Sequence, residues 1–263
     1  MTSLLPVWFS GLAVALTLVI LVWVLSLLRR DASIIDIFWG PGFVALVWTY
    51  AVLGKGWPPR TLLTLALVSL WGLRLAAHIF WRSRGKPEDY RYAEMRERHG
   101  KQFWWVSLFT VFLLQGVLLW LISAPLLQSI TTAEPAGLTS LDLGAAALFV
   151  LGFLFETIGD LQLARFRSDP ENRGKVLQSG LWRYTRHPNY FGDAVVWWSF
   201  FLLALSTPGA VWTLFSPVLM TLLLLKVSGV GLLEKKLNRT RPEYADYVAR
   251  TNAFVPWFPK SGA

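Results

Sequence analysis

One polar segment, SGLWRYTRHPNYFGD at residues 179–193, carries groups that could do chemistry in a chain that is otherwise apolar. Its candidate side chains are Arg183, Tyr184, Arg186, His187, Asn189, Tyr190 and Asp193. Pro188 suits the first turn of a helix, because proline lacks the N–H that a first turn leaves unpaired. The N–H groups and the dipole of such a helix start, beside several arginines, favour an anionic group such as a pyrophosphate. A positive loop that only sets membrane orientation would explain the arginines, but not the Asn-Tyr pair or the aspartate that follows it.

Ionisable residues also interrupt the apolar stretches, where they are costly unless they serve a site or find a partner. They are Asp36, Arg74, His78, Glu156, Asp160, Asp193, Lys226 and Glu234. Asp36 is either a capping carboxylate at the start of a helix or the acid of a site. Arg74 and His78 are four residues apart, so they share one face of a helix.

Glu156 and Asp160 lie one helical turn apart, so their carboxylates repel each other unless they are paired or partly protonated. A salt bridge to Arg74 or Lys226 would satisfy them structurally. The alternative is that they hydrogen-bond the ribose or adenine of a nucleotide. A metal site is disfavoured, because these carboxylates and a histidine have no recognisable ligand spacing and the chain contains no cysteine.

Membrane-crossing helices must position these residues, because 54% of the 263 residues are hydrophobic and only 16% are charged. A soluble domain carries about 25% charged residues. Seven stretches approach the ~20 apolar residues that a spanning helix needs. They are residues 4–28, 34–54, 61–81, 104–129, 141–164, 190–207 and 210–233. Since backbone groups must be satisfied internally in lipid, we predict an all-α polytopic membrane protein with seven transmembrane helices.

The positions of Lys and Arg predict the orientation of these helices. Most of the 25 basic residues fall in the loops on one side, whereas the opposite loops hold only Lys55 and Arg60. The positive-inside rule then places the N-terminus outside and the C-terminus in the cytoplasm. Topology also explains the net charge of +9, so we expect no nucleic-acid partner. The first apolar stretch has no basic segment before it and no small-residue cleavage site, which favours a retained span over a signal peptide.

The chain contains neither G-x-G-x-x-G nor G-x-x-x-x-G-K-[ST], so a dinucleotide would have to bind inside the helical bundle. GLWRYTRHPNYFGD resembles the C-terminal region of the membrane steroid 5α-reductase family, in particular its bacterial branch. Similar segments are DIFWG at Asp36, WGLRLAAHI, EDYRY at residues 88–92, LQG at Gln115, E-x-x-x-D at Glu156 and Asp160, and the terminal EYADYVARTNAFVPWFP. The resemblance spans nearly the whole chain and is strongest from Glu156 to Asp193.

This resemblance implies a seven-helix membrane reductase that uses NADPH and transfers a hydride to the β-carbon of an enone. In steroid members, the enone is a 3-oxo-Δ4 steroid. By motif position, Glu156 and Asp160 would contact the nucleoside part of the cofactor, and Arg167 would meet its phosphates. Asn189 and Asp193 would lie near the nicotinamide. The predicted cofactor set is completed by Arg173, Arg183, Tyr184, Arg186, His187, Tyr190 and Glu234.

The resemblance also implies that a carboxylic acid and a tyrosine polarise the enone carbonyl. Asp36 is the best match for the acid. The second and third predicted spans offer no tyrosine at a matching depth, so we expect Arg74 or His78 to take that role. We predict one domain, with the substrate part mainly in residues 1–130 and the cofactor part mainly in residues 142–263.

Other function classes compete with this interpretation. Membrane methyltransferases of the isoprenylcysteine and phospholipid types, which use S-adenosylmethionine, carry a similar RHP-x-Y stretch and a late Glu before a basic tail. A non-catalytic sterol-binding protein of the same fold would have lost the polar site residues, which are present here. A transporter would show inverted repeats or broken helices, and the sequence shows neither. We expect a monomer in the bacterial inner membrane that takes a steroid-like enone from the bilayer lipids and NADPH from the cytoplasm.

Overall fold

Helices make up all the regular structure of the computed structural model over the residues it describes, which are 4–54, 58–227, 234, 241 and 243–260. The predicted all-α class is therefore confirmed for these residues. The helices are α1 Leu4–Arg29, α2 Trp39–Leu53, α3 Pro59–Ser83, α4 Tyr90–His99, α5 Phe103–Ser107, α6 Leu114–Ile122, α7 Ala124–Thr131, α8 Ser140–Ser168, α9 Pro188–Leu205, α10 Phe215–Leu222 and α11 Tyr244–Arg250. Short 3-10 helices lie at Ala32–Phe38, Gly100–Gln102, Pro170–Asn172, Gly180–Arg183 and Ala210–Leu214, and π-helical turns lie at Leu108–Leu113 and Leu223–Val227.

Five helical segments of the described chain are long and apolar enough to cross a membrane, which identifies an integral membrane protein. They are Leu4–Arg29, Ala32–Leu53, Pro59–Ser83, Tyr90–Ile122 and Ser140–Ser168. The sixth predicted span corresponds to α9, which begins at Pro188 as expected from its missing N–H. The seventh begins as the shorter apolar helix Ala210–Lys226, and residues 228–233 of that predicted span lie outside the described residues. Seven spans and their orientation remain predictions.

The fourth spanning segment begins at Tyr90, well before the apolar run at residue 104 that the sequence indicated. Asp89 caps its start by accepting a hydrogen bond from the Arg91 N–H at 3.1 Å. The first ten residues, YRYAEMRERH, are too polar to register as a span, although they form helix α4. This extension places Tyr90, Arg91 and Tyr92 of the EDYRY motif in a helix.

The described chain divides into two compact units. The first comprises Met1–Asp142 and Leu203–Thr213, and the second comprises Leu143–Leu202 and Leu214–Ala263. Each predicted group of site residues falls within a single unit. The catalytic candidates are in the first unit, and the cofactor candidates are in the second. The interpretation of the chain as one domain stays a prediction.

Close contact between α2 and α3 organises the first unit. A Cβ atom added to Gly72 would lie 2.6 Å from the Gly40 carbonyl oxygen, so the absence of side chains lets these two helices meet backbone to backbone. A buried ion pair also closes this unit, because Arg60 Nε donates to Asp142 Oδ1 at 2.8 Å. Arg60, which the sequence indicated only as a loop cation, therefore lies inside the protein.

Candidate active site

In the second unit, helices α8 and α9 cross at glycines. A Cβ atom on Gly192 would lie 2.6 Å from the Gly152 carbonyl oxygen, and one on Gly159 would lie 3.1 Å from the Asn189 backbone nitrogen. The two backbones therefore approach more closely than any side chain would allow. This contact places the polar start of α9 directly against the last turns of α8.

The crossing brings together Asp160 and Asn189, two residues that the sequence assigned to the cofactor. Glu156 and Asp160 are buried on α8, with only 3% and 6% of their surface exposed. Asn189 Nδ2 donates a hydrogen bond to Asp160 Oδ1 at 3.1 Å. Asp193 follows one turn after Asn189 on α9 and is half-buried. Buried carboxylates and an amide in one unit supply acceptors and donors for ribose hydroxyls and an adenine ring.

Arg186, another predicted cofactor residue, contacts a carboxylate and two backbone carbonyls. Its guanidinium donates to Glu234 Oε1 at 2.8 Å, to the Val248 carbonyl at 3.3 Å and to the Thr251 carbonyl. The side chain is buried. A guanidinium with this many partners ties the segment before α9 to the C-terminal segment, and a contact of Arg186 with cofactor phosphates stays a prediction.

His187 also contacts Glu234, through Nε2 at 3.3 Å from Oε1, and its ring stacks on that of Tyr190 at 5.6 Å between centroids. Burial by itself would raise the pKa of the Glu234 carboxyl, but the hydrogen bonds from His187 and Arg186 outweigh it and lower that pKa. Burial, followed by the negative charge of Glu234, raises the pKa of the Tyr244 phenol to about 12. Glu234 is therefore held as a carboxylate.

Hydrogen bonds hold the segment between α8 and α9 against α8 and against the C-terminal segment, within the second unit. Trp182 Nε1 donates to the Gly159 carbonyl at 3.1 Å, and the Leu181 N–H donates to Gln162 Oε1 at 3.0 Å. Tyr184, another predicted cofactor residue, accepts from the Trp257 N–H at 2.9 Å through its carbonyl. The predicted arginines that expose their side chains here are Arg167, Arg173 and Arg183.

This donor set fits a dinucleotide better than a metal. The same unit holds buried carboxylates for the nucleoside and exposed arginines for phosphates. Among the described residues, no group of three or more His, Cys, Asp or Glu side chains could hold a metal ion.

In the first unit, the carboxyl group of Asp36 accepts two side-chain hydrogen bonds. The Tyr92 hydroxyl donates to Oδ1 at 2.7 Å, and Arg91 Nη2 donates to Oδ2 at 2.8 Å. Gln115 Nε2 lies 3.5 Å from the Tyr92 oxygen, and Trp39 Nε1 donates to Gln115 Oε1. The result is a connected phenol, carboxyl and amide network in a membrane-crossing unit.

Tyr92 places a phenol on Asp36, and the sequence interpretation did not consider this residue for the tyrosine role. The tyrosine was expected on the second or third predicted span, whereas Tyr92 belongs to the EDYRY motif and lies on α4. That motif was a visible signal, because it formed part of the family resemblance. Arg74 and His78 both lie half-buried on α3, and the His78 ring is 6.5 Å from that of Trp81. The role of Arg74 or His78 in place of the tyrosine stays a prediction.

Glu88 links the two elements that carry Asp36 and Tyr92. Its Oε1 accepts from the Ala32 N–H at 2.6 Å, and its carboxylate takes two hydrogen bonds from Arg96, at 2.8 and 2.9 Å. Ala32 opens the 3-10 helix of Asp36, and Arg96 lies one turn after Tyr92. Burial would raise the pKa of Glu88, but the hydrogen bonds from Arg96 and Ala32 lower it, so the clamp is ionised at neutral pH.

Comparisons with known proteins agree with a membrane reductase only in part. A model of the family described as "Protein of unknown function (DUF1295)" matches residues 22–251. An uncharacterized protein of Schizosaccharomyces pombe is 26% identical over 275 residues, which cover 94% of this chain and 78% of that protein.

Two relatives with a described activity match over a shorter region. The 3-oxo-5-alpha-steroid 4-dehydrogenase 1 proteins of Mus musculus and Rattus norvegicus are each 34% identical over 70 residues, or 27% of this chain. These alignments cover 28% of the mouse protein and 27% of the rat protein, so the chain spans little more than a quarter of either relative. No solved structure matches.

Proposed function

The chain belongs to this family of proteins of unknown function, and we propose that it is a membrane reductase that uses NADPH to reduce the C=C bond of an enone. The proposed substrate is a lipid-soluble, steroid-like enone of the 3-oxo-Δ4 class, which enters from the bilayer. The partial similarity to two 3-oxo-5-alpha-steroid 4-dehydrogenases supports this substrate class. NADPH would enter from the cytoplasm, on the side that carries most of the basic loop residues.

The hydrogen bond from Tyr92 to Asp36 is the observation that carries the proposal. Reduction of an enone places negative charge on the carbonyl oxygen, so the site needs a donor held at that oxygen. A phenol next to a carboxyl group supplies a donor and a second group that keeps it oriented. The resembled family uses this combination of acid and tyrosine for the same purpose.

In the proposed reaction, the Tyr92 hydroxyl turns from Asp36 to the carbonyl oxygen of the substrate. Asp36, in its protonated form, then donates to the phenol oxygen and holds it in place. A bound NADPH would supply the hydride for the β-carbon. The electron pair of the C=C bond would move towards the oxygen that Tyr92 contacts to give an enolate, and a proton from water would then reach the α-carbon to give the saturated ketone. Arg91 would hold the carboxyl group in position, and Gln115 would hold the phenol in position.

We assign the cofactor to the second unit. Glu156 and Asp160 would hydrogen-bond the nucleoside, Arg167 and Arg173 would meet the phosphates, and Asn189 and Asp193 would orient the nicotinamide end. Asn189 already contacts Asp160, so the two ends of this donor set are linked. Burial of Glu156 and Asp160 would exclude water from the hydrogen bonds that these two carboxylates would make.

A membrane methyltransferase is the second candidate, and one contact favours it. The RHP-x-Y stretch of such enzymes comes together here with the late glutamate, because Arg186 and His187 both contact Glu234. This cluster would then hold S-adenosylmethionine instead of supporting the segment before α9.

One purified preparation distinguishes the two functions. We expect NADPH at a hundredfold excess over Kd to stabilise the full-length protein in detergent by about 2.7 kcal/mol, which raises its unfolding temperature. We expect S-adenosylmethionine to leave the unfolding temperature unchanged. Addition of a 3-oxo-Δ4 steroid should then lower the NADPH absorbance at about 340 nm. Stabilisation by S-adenosylmethionine alone would overturn the reductase proposal.

A further inference from the structure

Two clefts in the second unit adjoin at Phe258 and differ in chemistry. The first has a volume of about 730 Å³, and its charged lining residues are Arg183, Arg250 and Lys260. The second has a volume of about 270 Å³ and is lined by Phe155, Leu181, Tyr184, Pro256, Trp257 and Phe258. A cationic cleft and an apolar cleft therefore share one wall.

The first cleft suits a phosphate group. All three of its cations expose their side chains, and no carboxylate lines the cleft among the described residues. Gln178 and Ser179 add polar groups to the lining of the first cleft, and Gln178 Oε1 accepts a hydrogen bond from Arg250 Nη2 at 3.5 Å. Several cations that converge without a neutralising acid favour a group with more than one anionic oxygen.

The second cleft suits a hydrocarbon chain. Trp257 and Phe258 expose 67% and 75% of their surface, and Val255 beside them exposes 60%. Contiguous exposed aromatic and aliphatic side chains mark a surface that binds something apolar. Tryptophan in particular favours the interface between lipid headgroups and hydrocarbon.

The clefts lie at the basic end of a spanning helix. The Leu181 N–H donates to Gln162 Oε1, which is in the last two turns of α8, the helix that ends with Arg165 and Arg167. The C-terminal segment is held against this end, because Trp257 N donates to the Tyr184 carbonyl at 2.9 Å and Lys260 N to the Arg250 carbonyl at 3.0 Å. Headgroup phosphates lie at the level where such helices leave the hydrocarbon.

We propose that the paired clefts bind one anionic phospholipid. Its phosphate lies among Arg183, Arg250 and Lys260, and an acyl chain lies along Tyr184, Trp257 and Phe258. A soluble phosphate would use only the first cleft and would leave the aromatic wall in water. Arg183 and Tyr184 thus serve a lipid, while Asp160 and Asn189 serve the cofactor.

Native mass spectrometry of the full-length protein in detergent tests this site. The protein is mixed with equal amounts of phosphatidylglycerol and phosphatidylcholine, and the ratio of the two bound forms is measured. We expect phosphatidylglycerol to dominate by tenfold or more. Each of Arg183→Gln, Arg250→Gln and Lys260→Gln should lower the ratio by about fivefold, as expected for one cation near a lipid phosphate.

The control variant removes three exposed cations from the first unit, through Arg84→Gln, Arg98→Gln and Lys101→Gln, and should leave the ratio within a factor of two. A second pair, Trp257→Ala with Phe258→Ala, should lower the total bound lipid and keep the preference for phosphatidylglycerol. If the triple control variant unfolds, Lys101→Gln alone serves as the control for Lys260→Gln.

Four results would overturn the proposal. The first is equal retention of the two lipids, and the second is an equal effect of the control variant, which would indicate general charge attraction. The third is loss of bound phosphatidylglycerol when NADPH or inorganic phosphate is added, since the first cleft would then hold a soluble phosphate. The fourth is unchanged binding after loss of both aromatic rings, which would show that no acyl chain lies in the second cleft.

Discussion

Tyr92 and Asp36 are joined by one hydrogen bond, and single-residue changes at this pair test the proposed chemistry. Tyr92→Phe removes only the hydroxyl, so kcat should fall by ~10²–10³-fold, as for loss of one donor at a developing oxyanion, while NADPH affinity stays unchanged. Asp36→Asn keeps a hydrogen-bond donor to the phenol but removes the acidic proton of the carboxyl group, so we expect a similar fall in kcat. Steady-state absorbance assays measure both.

Tyr50→Phe is the matched control for Tyr92→Phe. The Tyr50 hydroxyl lies 2.8 Å from Ser123 Oγ, deep in the same unit. Its loss should cost about 1 kcal/mol of stability and leave kcat within about twofold. Full activity in Tyr92→Phe would remove that phenol from the mechanism.

Glu234 makes stability depend on pH in a predictable direction. Its pKa in the folded protein lies below that of the unfolded chain, about 4.3, so its stabilising contribution is complete above that value. The contribution is lost as pH falls through the lower, folded-state pKa. We expect Glu234→Gln to lose less stability than the wild type when thermal unfolding is followed from pH 7 to pH 3. Glu171→Gln, at an exposed carboxylate, should follow the wild-type curve, and an identical curve for Glu234→Gln would contradict the assigned contacts.

Helices α8 and α9 can place Asp160 beside Asn189 only because their crossing contains glycine. Gly192→Ala adds a Cβ that would overlap the Glu156 backbone nitrogen and the Gly152 carbonyl, so the helices must separate. We expect a cost of ~1–3 kcal/mol in stability and weaker NADPH binding. Thermal unfolding and a cofactor titration measure the two effects.

Gly144→Ala is the control on α8, because its added Cβ would meet nothing within 4 Å. Alanine in a helix interior is about 0.5–1 kcal/mol more favourable than glycine, so this variant should be neutral or more stable. Equal losses at Gly144 and Gly192 would show that backbone contact at the crossing does not position the site.

At the scale of the whole chain, we propose that residues of the first unit polarise the carbonyl and that residues of the second unit bind the cofactor. Asp160→Ala removes the acceptor of Asn189 and a proposed ligand of the nucleoside. We expect the Kd for NADPH to rise by ~10–100-fold, which corresponds to the loss of a charge-assisted hydrogen bond, in a protein that still folds. Fluorescence titration with NADPH measures the change.

Asp169→Ala removes an exposed carboxylate in the same unit and should leave the Kd for NADPH unaltered. Tyr92→Phe, in the first unit, should also leave it unaltered although turnover falls. An unchanged Kd in Asp160→Ala would move the cofactor away from α8.

The sequence by itself determined the membrane class, the five apolar helices that are long enough to span a membrane, and the start of α9 at Pro188. These follow from local properties, since apolar length and the missing proline N–H act within a few residues of each position. The resemblance also directed attention to Asp36, Asp160 and Asn189. The polar helix α4 was missed, because hydropathy does not report a helix that extends beyond the apolar run.

Only the tertiary structure decided which side chains meet. Tyr92 and Asp36 are 56 positions apart, and Arg186 and Glu234 are 48 apart. Neither periodicity nor composition encodes such pairs, because they depend on where helices cross and on which way each side chain points. The glycine contact of α8 with α9 set the Asp160–Asn189 hydrogen bond, and the C-terminal segment supplied the Thr251 carbonyl that Arg186 contacts.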